Sequence, residues 1–169
     1  GGYWDDVNVV SNTTSTIYEE YFTGLNGKGA TNAGVDVSDC NWNIDLNGTN
    51  LTSIYNYIKV NSNRLEARGL NGSVYWLSPV INIQEYDNVT ISFDASESGL
   101  QEFNDVIESE YRIDGGGWTY FAVNGQLNDD FPSTVVSQSS LNGTTLEFRI
   151  KFANNSASEF FRVDDIKVE

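Results

Sequence analysis

Residues 145–153 read Thr-Leu-Glu-Phe-Arg-Ile-Lys-Phe-Ala, with a large apolar side chain at every second position and a charge between each pair. Successive side chains of a strand point to opposite faces, whereas a helix would scatter both classes around its axis. The segment is therefore a strand, with Leu146, Phe148, Ile150 and Phe152 inward and Glu147, Arg149 and Lys151 outward. Residues 88–95 repeat the pattern with Val89, Ile91 and Phe93 inward. Residues 105–114 do so with Ile107, Ser109, Tyr111 and Ile113 inward and Glu108, Glu110, Arg112 and Asp114 outward. Placed side by side, the three strands are expected to give one sheet a face dense in charged groups.

Further short runs rich in Val, Ile, Tyr, Phe and Thr recur between Asn, Gly and Ser clusters, at residues 17–22, 42–45, 54–60, 64–67, 74–83 (broken at Pro79), 118–123 and 159–168. Many short strands with turn signals and no helical period specify an all-β chain, a β-sandwich (jelly roll) of two antiparallel sheets. Asp-Gly-Gly-Gly at 114–117 and Asn-Gly at 142–143 read as tight turns. The polar stretch 124–140, which carries Pro132, reads as a long surface loop. A chain of 169 residues that is 39% hydrophobic sustains one core, so residues 16–169 are expected to form a single domain and residues 1–15 an N-terminal arm or linker. With no Met and no leader-like segment, the chain is expected to be a mature portion of a longer protein.

Nine Lys and Arg against 24 Asp and Glu leave a formal charge of −15, which argues against nucleic acid or an anionic membrane as partner. One cysteine, Cys40, and no His exclude a disulfide framework, imidazole ligands and His-based triads. Against that background two acid pairs stand out. Glu19 and Glu20 lie in Ile-Tyr-Glu-Glu-Tyr-Phe (17–22), and Asp164 and Asp165 in Phe-Arg-Val-Asp-Asp-Ile-Lys-Val (161–168). Asp is depleted in strands, and a carboxylate buried without a partner is costly. A calcium ion held between the first and last strands would satisfy them with oxygen ligands alone. Strand parity lets one acid of each pair face a given side without selecting which.

Several segments together resemble a known family: Ile-Tyr-Glu-Glu-Tyr-Phe-Thr-Gly (17–24), Asn-Gly-Lys-Gly (26–29), Trp-Asn-Ile-Asp (42–45), Leu-Glu-Ala-Arg (65–68), Trp-Leu-Ser-Pro-Val-Ile (76–81), Tyr-Arg-Ile-Asp-Gly-Gly-Gly-Trp (111–118) and Arg-Val-Asp-Asp-Ile-Lys-Val (162–168). They resemble the β-jelly-roll, calcium-stabilised, carbohydrate-binding-module-like domains of secreted, especially marine, Bacteroidetes proteins. The resemblance runs from about residue 16 to the end. It implies a structural calcium held by Glu19 or Glu20 with Asp164 or Asp165, helped by carbonyls near residues 26–29, and a secreted or cell-surface location. It implies a non-catalytic module that targets a secreted polysaccharide-degrading enzyme to its glycan. Such modules occur beside several enzyme classes, so the fold does not decide the ligand.

Sugar binding needs flat aromatic rings for the apolar face of a pyranose and planar polar groups for its hydroxyls. Trp118, Tyr120 and Trp76, with Glu108, Glu110, Arg112, Arg149 and Lys151, are the candidate ligand-binding residues. The net charge favours a neutral polysaccharide over an anionic one, bound by a monomer within a larger multidomain protein. Catalysis is not expected. Glu108 and Glu110 stand roughly 6.5–7 Å apart along one strand, a separation at which paired carboxylates hydrolyse glycosides. However, Glu-Ser-Glu-Tyr-Arg-Ile-Asp (108–114) departs from the Glu-x-Asp-x-x-Glu pattern of jelly-roll glucanases, and Arg112 would lower rather than raise the pKa of Glu110. The alternative function is a protein-interaction or spacer domain of a secreted or cell-surface protein.

Overall fold

The structure is a computed structural model that describes Gly2 and residues 14–169, so the expected arm at 1–15 lies almost wholly outside the described residues. Fifteen strands follow in chain order: β1 (Tyr18–Glu20), β2 (Gly29–Thr31), β3 (Gly34–Asp36), β4 (Asn43–Asp45), β5 (Tyr57–Asn61), β6 (Arg64–Arg68), β7 (Gly72–Leu77), β8 (Ile81–Asn82), β9 (Val89–Ser98), β10 (Val106–Ile113), β11 (Thr119–Tyr120), β12 (Gln126–Asn128), β13 (Thr134–Leu141), β14 (Thr145–Asn154) and β15 (Phe160–Val168). No helix occurs among the described residues. One sheet has the order β13-β9-β15-β6-β5-β2-β3, with β1 on the free part of β15. The other has the order β11-β10-β14-β7-β4, with β12 on β10 and β8 on β14. Every pairing is antiparallel. This is the all-β sandwich that the alternation implies.

Inward positions of the long strands build the core. Leu146, Phe148, Ile150 and Phe152 of β14, and Val89, Ile91 and Phe93 of β9, are all buried. An aromatic chain crosses the interior, with ring centroids of Phe22 and Trp42 6.0 Å apart, Trp42 and Trp76 6.2 Å, Trp76 and Phe148 5.5 Å, Phe148 and Phe121 6.4 Å, and Phe121 and Phe93 6.2 Å. It ties β7 and β14 of one sheet to β9 of the other. The β10–β11 connection turns at Asp114 and Gly115, both at positive φ (52° and 69°), the backbone that a tight hairpin turn requires and that Gly adopts without a Cβ penalty.

Three expectations need correction. The strand at 88–95 lies in the opposite sheet from β10 and β14, because a parity pattern fixes which face is buried but not which neighbour is paired. The stretch 124–140 is not a long loop, for it contains β12 and β13. As β13 is an edge strand, only Val136 and Leu141 are buried, and its sequence lacks alternation for that reason. The short strands β2 and β3 were not anticipated either; β3 is exposed at all three positions, so burial left no mark on its sequence.

The first and last strands do meet, but through backbone. Tyr18 pairs with Val168, Glu19 with Lys167 and Glu20 with Ile166. The adjacent acids of β15 sit at a β-bulge, where Asp165 and Ile166 together oppose one residue of β9 and Asp165 takes φ 52°. A bulge breaks the alternation locally, which explains how two acids follow one another in an otherwise apolar strand.

Candidate carbohydrate-binding face

The outward face of β10 and β14 carries three ion pairs at three successive outward cross-strand positions. Register places Glu108 opposite Lys151, Glu110 opposite Arg149 and Arg112 opposite Glu147. Lys151 Nζ donates to Glu108 at 2.8 Å, Arg149 Nε to Glu110 at 2.7 Å, and Arg112 forms a two-pronged pair with Glu147 at 2.8 and 2.9 Å. The Glu108 hydrogen bond raises the pKa of Lys151, and that of Glu147 raises Arg112, so the cations stay charged. Trp118, partly buried, lies over both guanidinium groups, 4.3 Å from Arg149 and 4.6 Å from Arg112, while Tyr75 lies 4.7 Å from Arg149. Tyr120 is exposed beside them, and the nearby Glu108 charge raises its phenol pKa.

Of the eight candidates, seven share this face. Trp76 does not. It is fully buried in the core, because in Ser-Val-Tyr-Trp-Leu (73–77) Val74 and Trp76 face inward while Ser73, Tyr75 and Leu77 face outward, and large residues on both faces hide that parity in the sequence. The indole of Trp118 is also taken up by arginines rather than presented as a bare platform.

At the end of the ladder formed by Glu108 and Lys151 the face opens into a cleft of about 460 Å³, lined also by Ser73, Phe103, Asn104, Val106, Gln126, Leu127, Asn128 and Ala153. Phe103 is 74% exposed. The amides of Asn104, Gln126 and Asn128 are exposed and make no side-chain hydrogen bond among the described residues. Sequence reasoning missed all four. Phe103 and Asn104 sit in the β9–β10 turn, and Gln126 and Asn128 on β12, a strand hidden within a polar stretch; only folding brings them beside Lys151.

A larger cavity, about 610 Å³, opens on the opposite sheet among Arg64, Asp94, Ser96, Ser133, Thr134, Val135, Arg162, Asp164 and Asp165. No aromatic ring among the described residues lines it, Arg162 is already bonded to Glu66 and Ser98, and three carboxylates crowd its floor. Burial and the neighbouring Asp165 raise the pKa of Asp94, and burial raises Asp164 against the hydrogen bond it accepts from the Asp165 N–H. Size favours this cavity, whereas sugar-recognising chemistry favours the cleft beside Lys151.

The four acids expected to hold calcium have separate surroundings. Glu20 lies on the inward side of β1, and its two oxygens accept the N–H of Phe22 and, at 2.9 Å, the indole N–H of Trp42. Glu19 is exposed and accepts the Tyr21 hydroxyl at 3.0 Å. Asp164 and Asp165 instead line the cavity with Asp94. Among the described residues, carboxylates gathered as metal ligands would be are found elsewhere, at Glu102, Asp105 and Glu159.

No family model and no curated protein matches the sequence. Solved structures do resemble the fold. The K2 cleaved adhesin domain of Lys-gingipain, a Porphyromonas gingivalis protein, is 15% identical at a TM-score of 0.51, covering 90% of this chain and 97% of that one. TmCBM61, solved with β-1,4-galactotriose, is 7% identical at a TM-score of 0.44, covering 76% and 81%. The chain spans only 24% of VesC, a secreted serine protease of Vibrio cholerae, with 67% of this chain aligned, 12% identity and a TM-score of 0.46. At these identities the likeness is one of fold alone, the β-sandwich of the K2 adhesin domain.

Proposed function

We propose that this domain is a non-catalytic carbohydrate-binding module that takes a neutral polysaccharide in the cleft beside Lys151 and acts within a secreted or cell-surface protein. One observation carries the reading: an exposed ring, Phe103, stands beside three exposed amides, Asn104, Gln126 and Asn128. Apolar stacking and planar hydrogen bonding are what a pyranose demands. Lys151 is the cation of the cleft and is committed to Glu108 at 2.8 Å, so a uronate or sulfate group would have to break an ion pair to be bound. Glu108 and Glu110 are likewise held by Lys151 and Arg149, so neither carboxylate stands free to act on a glycosidic bond.

Affinity electrophoresis against neutral and anionic polysaccharides tests the reading. Retention is expected on a neutral glycan. Phe103→Ala should weaken it by about ten- to hundredfold, the value of burying a Phe side chain, with no change in melting temperature because the ring is exposed. No retention on any polysaccharide would favour a spacer or protein-interaction domain.

A further inference from the structure

The turn that carries Phe103 and Asn104 is bracketed by acids. Glu102 and Asp105 lie between β9 and β10, Glu159 lies between β14 and β15, and one oxygen from each falls within 4.8 Å of the others. Asp105 is 1% exposed and Glu159 3%, yet no Lys or Arg among the described residues pairs with any of the three; the five ion pairs are elsewhere. Backbone donors satisfy one oxygen of each buried acid. Glu102 N–H donates to Asp105 Oδ2 at 2.7 Å, and the Asn155 and Ser156 N–H groups donate to Glu159 Oε2 at 3.2 and 2.9 Å.

A separate group in the same turn also lacks a partner. Gln101 is 5% exposed and its Nε2 is anchored on the Ser98 carbonyl at 3.1 Å, but its buried Oε1 accepts no hydrogen bond among the described residues. The turn is pressed onto the Glu159 segment. A Cβ on Gly99, at φ 110°, would stand 2.5 Å from Ser158 O and 3.0 Å from Glu159 Cα. An orphaned buried carbonyl is destabilising, and uncompensated carboxylates are more so. A hard cation with oxygen ligands would relieve both.

We propose that Glu102, Asp105 and Glu159, with the Gln101 side-chain oxygen, bind a calcium ion that fixes the β9–β10 turn, in place of an ion clamped between the first and last strands. Carboxylate and carbonyl ligands at irregular positions suit Ca²⁺, whereas Mg²⁺ demands near-ideal octahedral geometry. Because the turn supplies Phe103 and Asn104 to the cleft, the ion would also make ligand retention calcium-dependent. That second part rests on the carbohydrate-binding reading, and the first does not.

Calorimetric titration of the chelator-stripped chain with CaCl₂ alone tests the ion site without any glycan. One calcium per chain is expected, together with a rise in melting temperature. Glu102→Gln, at an exposed position, should fold normally by circular dichroism and bind calcium at least about tenfold more weakly, since ligand charge sets calcium affinity. The double variant Glu20→Gln/Asp165→Asn should bind as the wild type does. Absence of binding at millimolar calcium, unchanged affinity in Glu102→Gln, or loss of binding in the double variant would each overturn the site. Glycan retention that chelator leaves unchanged would overturn the coupling to the cleft while leaving the titration result intact.

Discussion

Trp76→Ala should lower stability by about 3–5 kcal/mol, the usual cost of emptying a Trp-sized site in a core. A domain of this kind has only about 5–15 kcal/mol to lose. Trp76 is completely buried and its ring bridges Trp42 at 6.2 Å and Phe148 at 5.5 Å, so its removal breaks the aromatic chain between the sheets at its middle. Urea denaturation measures the loss, and the midpoint should fall without a large change in slope. Trp76→Phe offers a sharper comparison. The indole N–H is buried and has no partner among the described residues, so Phe removes an unsatisfied donor as well as some volume, and the two effects oppose each other. A Phe variant that loses stability only in proportion to the volume removed would show that volume alone governs the position; a smaller loss would show the gain from removing the donor.

Glu66→Ala should cost about 3 kcal/mol, near the lower end for breaking a buried ion pair because Arg162 keeps some access to water. Glu66 is 3% exposed and accepts three hydrogen bonds, from Tyr57 Oη at 2.7 Å, Asn61 Nδ2 at 2.9 Å and Arg162 Nε at 2.7 Å. Its loss strands all three donors on the outer face of β5, β6 and β15. Burial works to raise the carboxyl pKa of Glu66, but the hydrogen bonds from Tyr57, Asn61 and Arg162 outweigh it and hold the value below normal. Conversely, burial and then the Glu66 charge push the Tyr57 phenol up to about 12. A depressed folded-state pKa contributes stability that is complete above the unfolded value of about 4.3 and disappears as pH falls through the folded value. The difference between wild type and Glu66→Ala should therefore be level from neutral pH down to about pH 5 and shrink below about pH 4. Denaturant melts across that range measure it; a difference that grew on acidification would contradict the assignment.

How much of this was legible in the sequence depended on whether one face of a strand was buried. β14 and β10 wrote their orientation into the chain because each alternates between core and water, and their outward charges came to lie opposite one another as read. Tyr75 and Trp76 show the limit. Where both faces are apolar, parity cannot tell platform from core, and Trp76 belongs to the core. β13 shows the converse, since an edge strand with little to bury looks like a loop. At the chain ends, a bulge at Asp165 and two donors on Glu20 are features that strand propensity alone does not reveal. Asp105 and Glu159 gave no warning, because neither is buried by its own segment; they become costly only when two turns 54 residues apart close on each other.

The binding face is the claim on which the functional reading depends, and a nuclear magnetic resonance titration of the isotope-labelled domain with a neutral oligosaccharide tests it most directly. Saturable shifts are expected at Ser73, Phe103, Asn104, Gln126, Asn128 and Lys151, fading along the ladder toward Arg112. Shifts confined to Arg64, Ser96 and Thr134 on the opposite sheet, or none with any oligosaccharide, would contradict it.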